Sequence, residues 1–547
     1  MLAATFTLAT KPAQAVTASS LTLKFYNASG TALTFAQVQS TQKGPASGAY
    51  ESDAFVNPTN LQLMASTPLT SAGALTFPLP SGQPAAFAIN WPTTNKGFGL
   101  VIVDNGGAGF TNAATVNFTY QAASDLKRRL DAALATRPDY TRTTNFNSAY
   151  AVASNCLATA NATTNDSVRG AQGQLALEQL VAAYDTLLRE YGPTYARTHA
   201  STNNPPWLGF TMEDVGAYQS DLNKLAAMAG QFGWVRIVFD PANSAASYAA
   251  AVNYAKSKGI KVLACPVDST ADTSLTRAQN LQRFKDLIAA FPTVDAWEVG
   301  NEVNGGWSSS DIGLRVADVA AYCKSVNKKT YLTLFWQLNT SDAAFSMFNW
   351  IAANLPAATR ANLDYVGISQ YQEQAPMGAA FDAVMRRLQV EFPNQKIGLG
   401  ELGYWIPQQQ YWWAYSATPA TAKEVVLDQY YKASLGYAGA HGGGFWWNFA
   451  STGGDYDFTS TMTNTITALK NLLAAPPACL SVQPTNGQIK ISWSTNATNA
   501  VLESSPMTAS PRVWSPIATN QYQTGGTNVF FYANPASGNF VYRLRQP

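Results

Sequence analysis

Charge is scarce in this chain. Of its 547 residues only 12% are Asp, Glu, Lys or Arg, about half the usual share, and 35 basic side chains against 33 acidic ones leave a formal charge of +2. So even a balance gives no field to gather nucleic acid or an anionic membrane surface, and neither is expected as a partner. Histidine is nearly absent, with His199 and His441 alone. The four cysteines, Cys156, Cys265, Cys323 and Cys479, lie far apart without metal-ligand spacing, so neither a metal nor another cofactor is expected and no disulfide pairing is favoured. No apolar run outside the N-terminus is long enough to span a bilayer.

What is abundant is amide, hydroxyl and aromatic. The chain has 14 Trp, 25 Tyr and 26 Phe, and several aromatics cluster among Gln, Pro and Ser rather than among aliphatic residues: Trp405, Tyr411, Trp412, Trp413 and Tyr415. An aromatic face with polar neighbours suits a sugar ring, whose C–H face stacks while its rim hydroxyls hydrogen-bond. Packing of a long loop is the plainer use of such residues. Met1 to Ala15 combines an apolar run with Ala13-Gln14-Ala15, a signal-peptidase type of site, but lacks the positive n-region; it reads as the remnant of a signal peptide, and a secreted protein is expected.

The length calls for more than one domain. Residues 16–122 read as short strands (LTLKFYN, AAFAINW, FGLVIVD) broken by Gly, Pro and Asn, an N-terminal β-sandwich with a possible carbohydrate-binding role. Residues 123–200 turn to helical periodicity and form a connecting region. Residues 201–475 alternate apolar strand-like runs with helical ones. The strand candidates are 207–212, 234–240, 261–267, 294–300, 330–336, 364–370, 396–401 and 443–449, and no phosphate-binding G-x-G-x-x-G follows the first. The pattern predicts an α/β fold of the (β/α)₈ TIM-barrel type. After Pro476-Pro477, residues 478–547 alternate as a small immunoglobulin-like or fibronectin-like β domain, with a binding or a spacer role equally open.

In such a barrel the working side chains project from the C-terminal ends of the strands. Two ends carry glutamate: strand four closes on Trp297-Glu298-Val299-Gly300-Asn301-Glu302, and strand seven on Gly398-Leu399-Gly400-Glu401. Strands four and seven stand on opposite sides of the mouth, so the two side chains can converge across it. A facing carboxylate pair is the equipment of glycosidic cleavage; a lone strand-end glutamate is more often a rim salt bridge.

Asn301-Glu302, Gly400-Glu401-Leu402-Gly403 and the aromatic Phe445-Trp446-Trp447-Asn448 together resemble the clan A glycoside hydrolases. The resemblance covers the barrel, about half the chain. It implies that Glu302 is the acid/base, Glu401 the nucleophile and Asn301 a ligand of the sugar 2-hydroxyl. It further implies that Arg236 on strand two and Tyr371 past strand six hold the nucleophile carboxylate, and that Trp447 floors the cleavage subsite, with Trp446 the other choice. Trp307, Trp336 and Trp405 are taken as further substrate contacts. The chain departs from many clan members in having no histidine near strand three or six. Glu298, Asp240, Asp268 and Glu373 are open between substrate contact and rim charge, and His199 reads as a loop residue. The expectation is a monomeric, retaining hydrolase acting on a neutral β-linked polysaccharide of glucan, galactan or mannan type and cleaving it within the chain. A non-catalytic carbohydrate-binding protein and an exo-acting β-glycosidase are the alternatives.

Overall fold

The computed structural model describes residues 19–41, 53–80, 82–93, 97–199, 206–269, 271–338, 342–372, 375–404, 419–449, 458–474, 480–494, 500–509, 512–526, 528–534 and 538–545. The expected signal remnant, Glu373, Cys479 and the aromatic cluster from Trp405 to Tyr415 lie outside them.

Eight parallel strands close on themselves: β1 (Leu208–Met212), β2 (Gly233–Val238), β3 (Lys261–Cys265), β4 (Ala296–Gly300), β5 (Thr330–Phe335), β6 (Tyr365–Tyr371), β7 (Lys396–Gly403) and β8 (Phe445–Trp446). Each pairs with the next in chain order, and β8 returns to β1 through Phe445↔Gly209 and Trp446↔Phe210. A helix follows every strand: α1 (Tyr218–Ala229), α2 (Ala246–Ser257), α3 (Arg277–Ala290), α4 (Ile312–Ser325), α5 (Met347–Asn354), α6 (Phe381–Glu391), α7 (Pro419–Ser434) and α8 (Ser460–Ala474). This is a (β/α)₈ barrel. Its strands are continuous rather than alternating apolar runs because both faces are covered, and β2, β4 and β5 are buried at every position. Strand eight is where expectation and structure differ most. Only two residues of the expected seven join the ladder, and Ala440–Gly442 pairs separately with β7, because Gly442 at φ +75° turns the chain out of extended conformation.

The barrel interior is layered along the strand direction. Near the strand starts Trp207, Trp234, Leu263, Ala296, Tyr331 and Phe445 form a dry plug, with Trp207 stacked on Trp234 at 3.7 Å between centroids. His441 is wholly buried against this plug, and burial lowers its pKa to about 3, so it is neutral. One step further along the strands the inward residues turn polar, as in Arg236 after Trp234 and Thr333 after Tyr331. The plug thus leaves the charged groups at the C-terminal mouth.

The N-terminal region contains two separate sheets where a β-sandwich is expected. One joins Thr76–Pro78, Ser20–Lys24 and Ala114–Asn117, the last pair being parallel; the other joins Leu63–Ser66, Asp53–Val56, Ala86–Thr93 and Gly97–Val103. Helices 118–135, 144–161 and 166–199 follow, the first starting at an Asn117 cap whose side chain accepts from the Tyr120 amide. His199 closes the last of them rather than sitting in a loop. One hydrophobic core runs through these sheets, the helices and the outer barrel, from Leu21 and Phe87 through Leu130 and Leu180 to Val384 and Leu427. The helices brace α6 and α7. Buried Asp382 on α6 accepts from Arg137 at 2.6 Å, Tyr184 at 2.9 Å and Tyr437 at 2.9 Å, and a Cβ at Gly192 would lie 1.8 Å from the Lys432 carbonyl, so glycine there lets two helix backbones touch.

Beyond the barrel two antiparallel sheets, Ser481–Thr485 with Gln488–Ser494, Asn528–Ala533 and Gln523–Gly525, and Ser515–Pro516 with Val501–Pro506 and Phe540–Arg545, enclose a small core of their own around Ile491, Trp493 and Leu502. Among the described residues Cys156, Cys265 and Cys323 are free thiols.

Candidate active site

Both glutamate-bearing strands bulge near their C-terminal ends, before Glu302 on β4 and at Glu401 on β7. On β4 the register slips between Glu298 and Gly300, opposite consecutive residues Tyr331 and Leu332 of β5. On β7 it slips between Leu399 and Leu402, so that Gly400 and Glu401 together stand opposite Ser369 of β6. A bulge adds one residue to one strand and re-aims the side chains beyond it. Glu302 itself sits at φ +46°, a left-handed conformation costing a non-glycine residue about 1–2 kcal/mol and found where surrounding structure imposes it.

Arg236 organises the site. It projects inward from β2, wholly buried, and its Nε donates to Glu298 Oε2 at 2.7 Å. Its Nη1 lies 2.9 Å from Glu401 Oε1 as an ion pair off the hydrogen-bond line, and its Nη2 points at Cys265 Sγ at 3.3 Å. The other oxygen of Glu298 accepts a short hydrogen bond from Thr333. Glu401 also accepts from Tyr371 Oη at 2.6 Å and from Asn301 Nδ2 at 3.1 Å. That Asn301 nitrogen donates as well to Asp268 Oδ1 at 2.7 Å.

The two glutamates therefore sit in unlike surroundings. Burial drives both pKa values up. For Glu401 the Arg236 charge and the Tyr371 hydroxyl pull back, leaving it at about 7. Glu302 is pushed well higher, by burial first and then by the charges of Glu401 and Asp268, against only minor relief from the Ser369 hydroxyl and Arg236; its Oε1 is buried without a partner. Glu401 is thus the first of the pair to ionise, and Glu302 keeps its proton beside it.

The structure brings Glu302, Glu401, Asn301, Arg236 and Tyr371 into one cluster. Trp447 is half-buried beside it, its ring centroid 6.0 Å from the Arg236 guanidinium carbon, whereas Trp446 is fully buried. Trp307 stands 40% exposed on the β4–α4 loop, edge-on to Phe335 at 5.2 Å. Trp336 belongs instead to the hydrophobic core, 3% exposed, with its amide donating to the Ser369 carbonyl. Trp405 lies outside the described residues. Glu298 is neither a substrate contact nor a rim charge: it is the buried counter-ion of Arg236. A signal for this was present in the sequence, since a guanidinium has five donors and an inward arginine needs more than one carboxylate. Glu213, at the end of β1, is a further group that sequence reasoning passed over; its carboxylate accepts from Asn448 Nδ2 at 3.3 Å. Among the described residues no group of three or more His, Cys, Asp or Glu is arranged to hold a metal ion.

No protein-family profile matches the chain, and no curated protein matches it in sequence. Among solved structures it is similar to a GH10 xylanase from a Bispora species, at 12% identity over 52% of this chain and 99% of that one with a TM-score of 0.36. It is also similar to a family 1 β-glucosidase from Thermotoga maritima, at 10% identity over 47% and 87% with a TM-score of 0.32. An orotidine 5′-monophosphate decarboxylase from Methanocaldococcus jannaschii aligns as well, at 12% identity over 49% and 99% with a TM-score of 0.29. Likenesses this distant carry no argument about activity, and the barrel rests on its own strand pairing.

Proposed function

We propose that the protein is a retaining hydrolase of β-glycosidic bonds, with Glu401 as nucleophile and Glu302 as acid/base. The observation that carries the reading is the asymmetry of the pair. Glu401 has a cation and two hydrogen-bond donors on its carboxylate, which stabilise the anion, while Glu302 is buried with an unbonded oxygen, which favours the acid. Glu401 attacks the anomeric carbon as Glu302 passes its proton to the leaving oxygen, forming a glycosyl ester and releasing the first sugar. Loss of the Glu401 charge then lowers the pKa of Glu302, which takes a proton from water as that water breaks the ester. Arg236 holds Glu401 in line through both states, and Glu298 holds Arg236. Trp447 and Trp307 offer aromatic surface for sugar rings. The substrate is a β-linked glycan free of acidic sugars, cleaved within the chain.

Proton NMR during the first turnovers on a β-glycan tests this. The first-formed anomer should be β; an α product would show inversion and refute the double-displacement assignment.

A further inference from the structure

The connections that follow the strands are acidic in sequence, and the cations that reach their described residues, among them Arg236 from β2, Arg283 from α3 and Arg315 from α4, come from the strands and helices themselves. Eight segments lead from each strand to the following helix: 213–217, 239–245, 266–276, 301–311, 336–346, 372–380, 404–418 and 447–459. Every charged side chain in them is Asp or Glu, and no Lys, Arg or His occurs. Much of the remaining basic charge of the barrel stands at the other end, where part of it is paired with Asp295, Asp364 and Glu391. Lys258, Lys261, Lys328, Lys329, Arg360 and Lys396 all lie in the helix-to-strand connections or at strand starts. Glu213, Asp240 and Asp268 follow the neighbouring strands β1, β2 and β3, and burial and then the Asp268 charge raise the pKa of Glu213, with the Asn448 amide and Arg236 opposing and Asp240 adding to the rise. Arg236, the cation nearest Asp268, stays 3.8 Å from it and is already engaged by Glu298 and Glu401.

A second observation points to what is missing. Asn301 is 5% exposed, and its amide nitrogen is committed to Asp268 and Glu401. Its carbonyl oxygen is buried without a donor. The Asn301 side chain lies beside the Asp268 and Glu401 carboxylates, and its oxygen can only accept. A ligand hydroxyl would supply a donor and leave the charge excess standing; an ammonium group supplies donors and charge together.

We propose that the barrel acts on a β-linked glycan bearing free primary amines, a chain of amino sugars without N-acetyl groups, with an ammonium seated among Asp268, Glu213 and the Asn301 carbonyl. This rests on the glycosidase reading and narrows its substrate. An acidic mouth also gathers such a chain from solution, raising the encounter rate in a salt-dependent way.

Three β-1,4-linked hexasaccharides test it: glucosamine, N-acetylglucosamine and glucose, with initial rates and calorimetric binding measured on the full chain from low to high salt. The glucosamine chain should have a kcat/KM about tenfold or more above the other two at low salt, and the gap should narrow several-fold as salt screens the mouth. In Glu213→Gln with Asp240→Asn the gap should narrow without added salt. Equal or better cleavage of an uncharged chain, or a gap indifferent to salt, would overturn the proposal. If none of the three is cleaved while another β-glycan is, the amine proposal falls and the glycosidase reading stands. If the glucosamine chain binds preferentially and no glycan is cleaved, the glycosidase reading falls and with it action on the chain, leaving only the ammonium seat; if nothing binds, both fall.

Discussion

Tyr371 donates its hydroxyl to a carboxylate that must be ionised to attack, so its loss should be read in the pH profile more than in folding. Removing a donor from an anion raises the pKa of that group. In Tyr371→Phe the acidic limb of kcat/KM, which reports ionisation of Glu401 in the free enzyme, should move to higher pH by about one unit, the worth of one hydrogen bond to a charge. An unchanged limb with lowered kcat throughout would show that Tyr371 acts on substrate instead. At this scale the sequence is legible wherever a residue is fixed by its place on a strand. Glu302, Glu401, Asn301, Arg236 and Tyr371 each stand at a strand end or one turn of alternation inside it, and they meet. Trp336 misleads because an aromatic just past a strand can turn either to the mouth or to the core, and its ring is buried there. Glu298 is hidden for another reason: its role follows from a partner 62 residues away, which no local pattern displays.

The strands and helices of the barrel could be counted from the sequence because a strand covered on both faces is an unbroken apolar run and each helix restores a different period. Strand eight resists this, since glycines beside it make backbone conformation, not hydrophobicity, the deciding factor. The helical brace is legible as helix but not as brace, because its attachment depends on which apolar faces meet and on a few buried polar contacts between them. Asp382 is the most exacting of these. It ties Arg137 and Tyr184 of the brace to α6, with Tyr437 and Arg386 beside them. The arginines hold its pKa below the ordinary carboxylate value despite its burial. Asp382→Ala would leave Arg137 buried without a counter-charge and should cost about 3–5 kcal/mol of stability, measured by denaturant unfolding at pH 7. Because the folded pKa is depressed, the contribution is present above the unfolded value and lost as pH falls through the folded one. The deficit of the variant should therefore shrink below about pH 4. A loss under about 1 kcal/mol at pH 7 would show that the brace is held by apolar packing alone.

For the molecule as a whole, a continuous core joins the N-terminal sheets, the helices and the barrel, while the C-terminal sheets enclose a core of their own. The sequence shows the composition change at each boundary but not which boundaries are crossed by packing, since that depends on which apolar faces meet. A chain ending at Ala474 should fold and keep most of its turnover on short oligosaccharides. One starting at Trp207 should aggregate, because it exposes the faces of α6 and α7 that the brace covers. Soluble, active protein from the second truncation, or loss of folding in the first, would reverse this division. The central claim concerns what the assembled barrel does with its two glutamates, and azide decides it. On an aryl β-glycoside that the intact enzyme cleaves, Glu302→Ala should still form the glycosyl ester when the leaving group needs no proton. Azide should then displace Glu401 from that ester and yield the β-glycosyl azide. In Glu401→Ala azide can enter only from the face the carboxylate has vacated and should yield the α-glycosyl azide. The two products in the opposite assignment would contradict the roles given to Glu302 and Glu401.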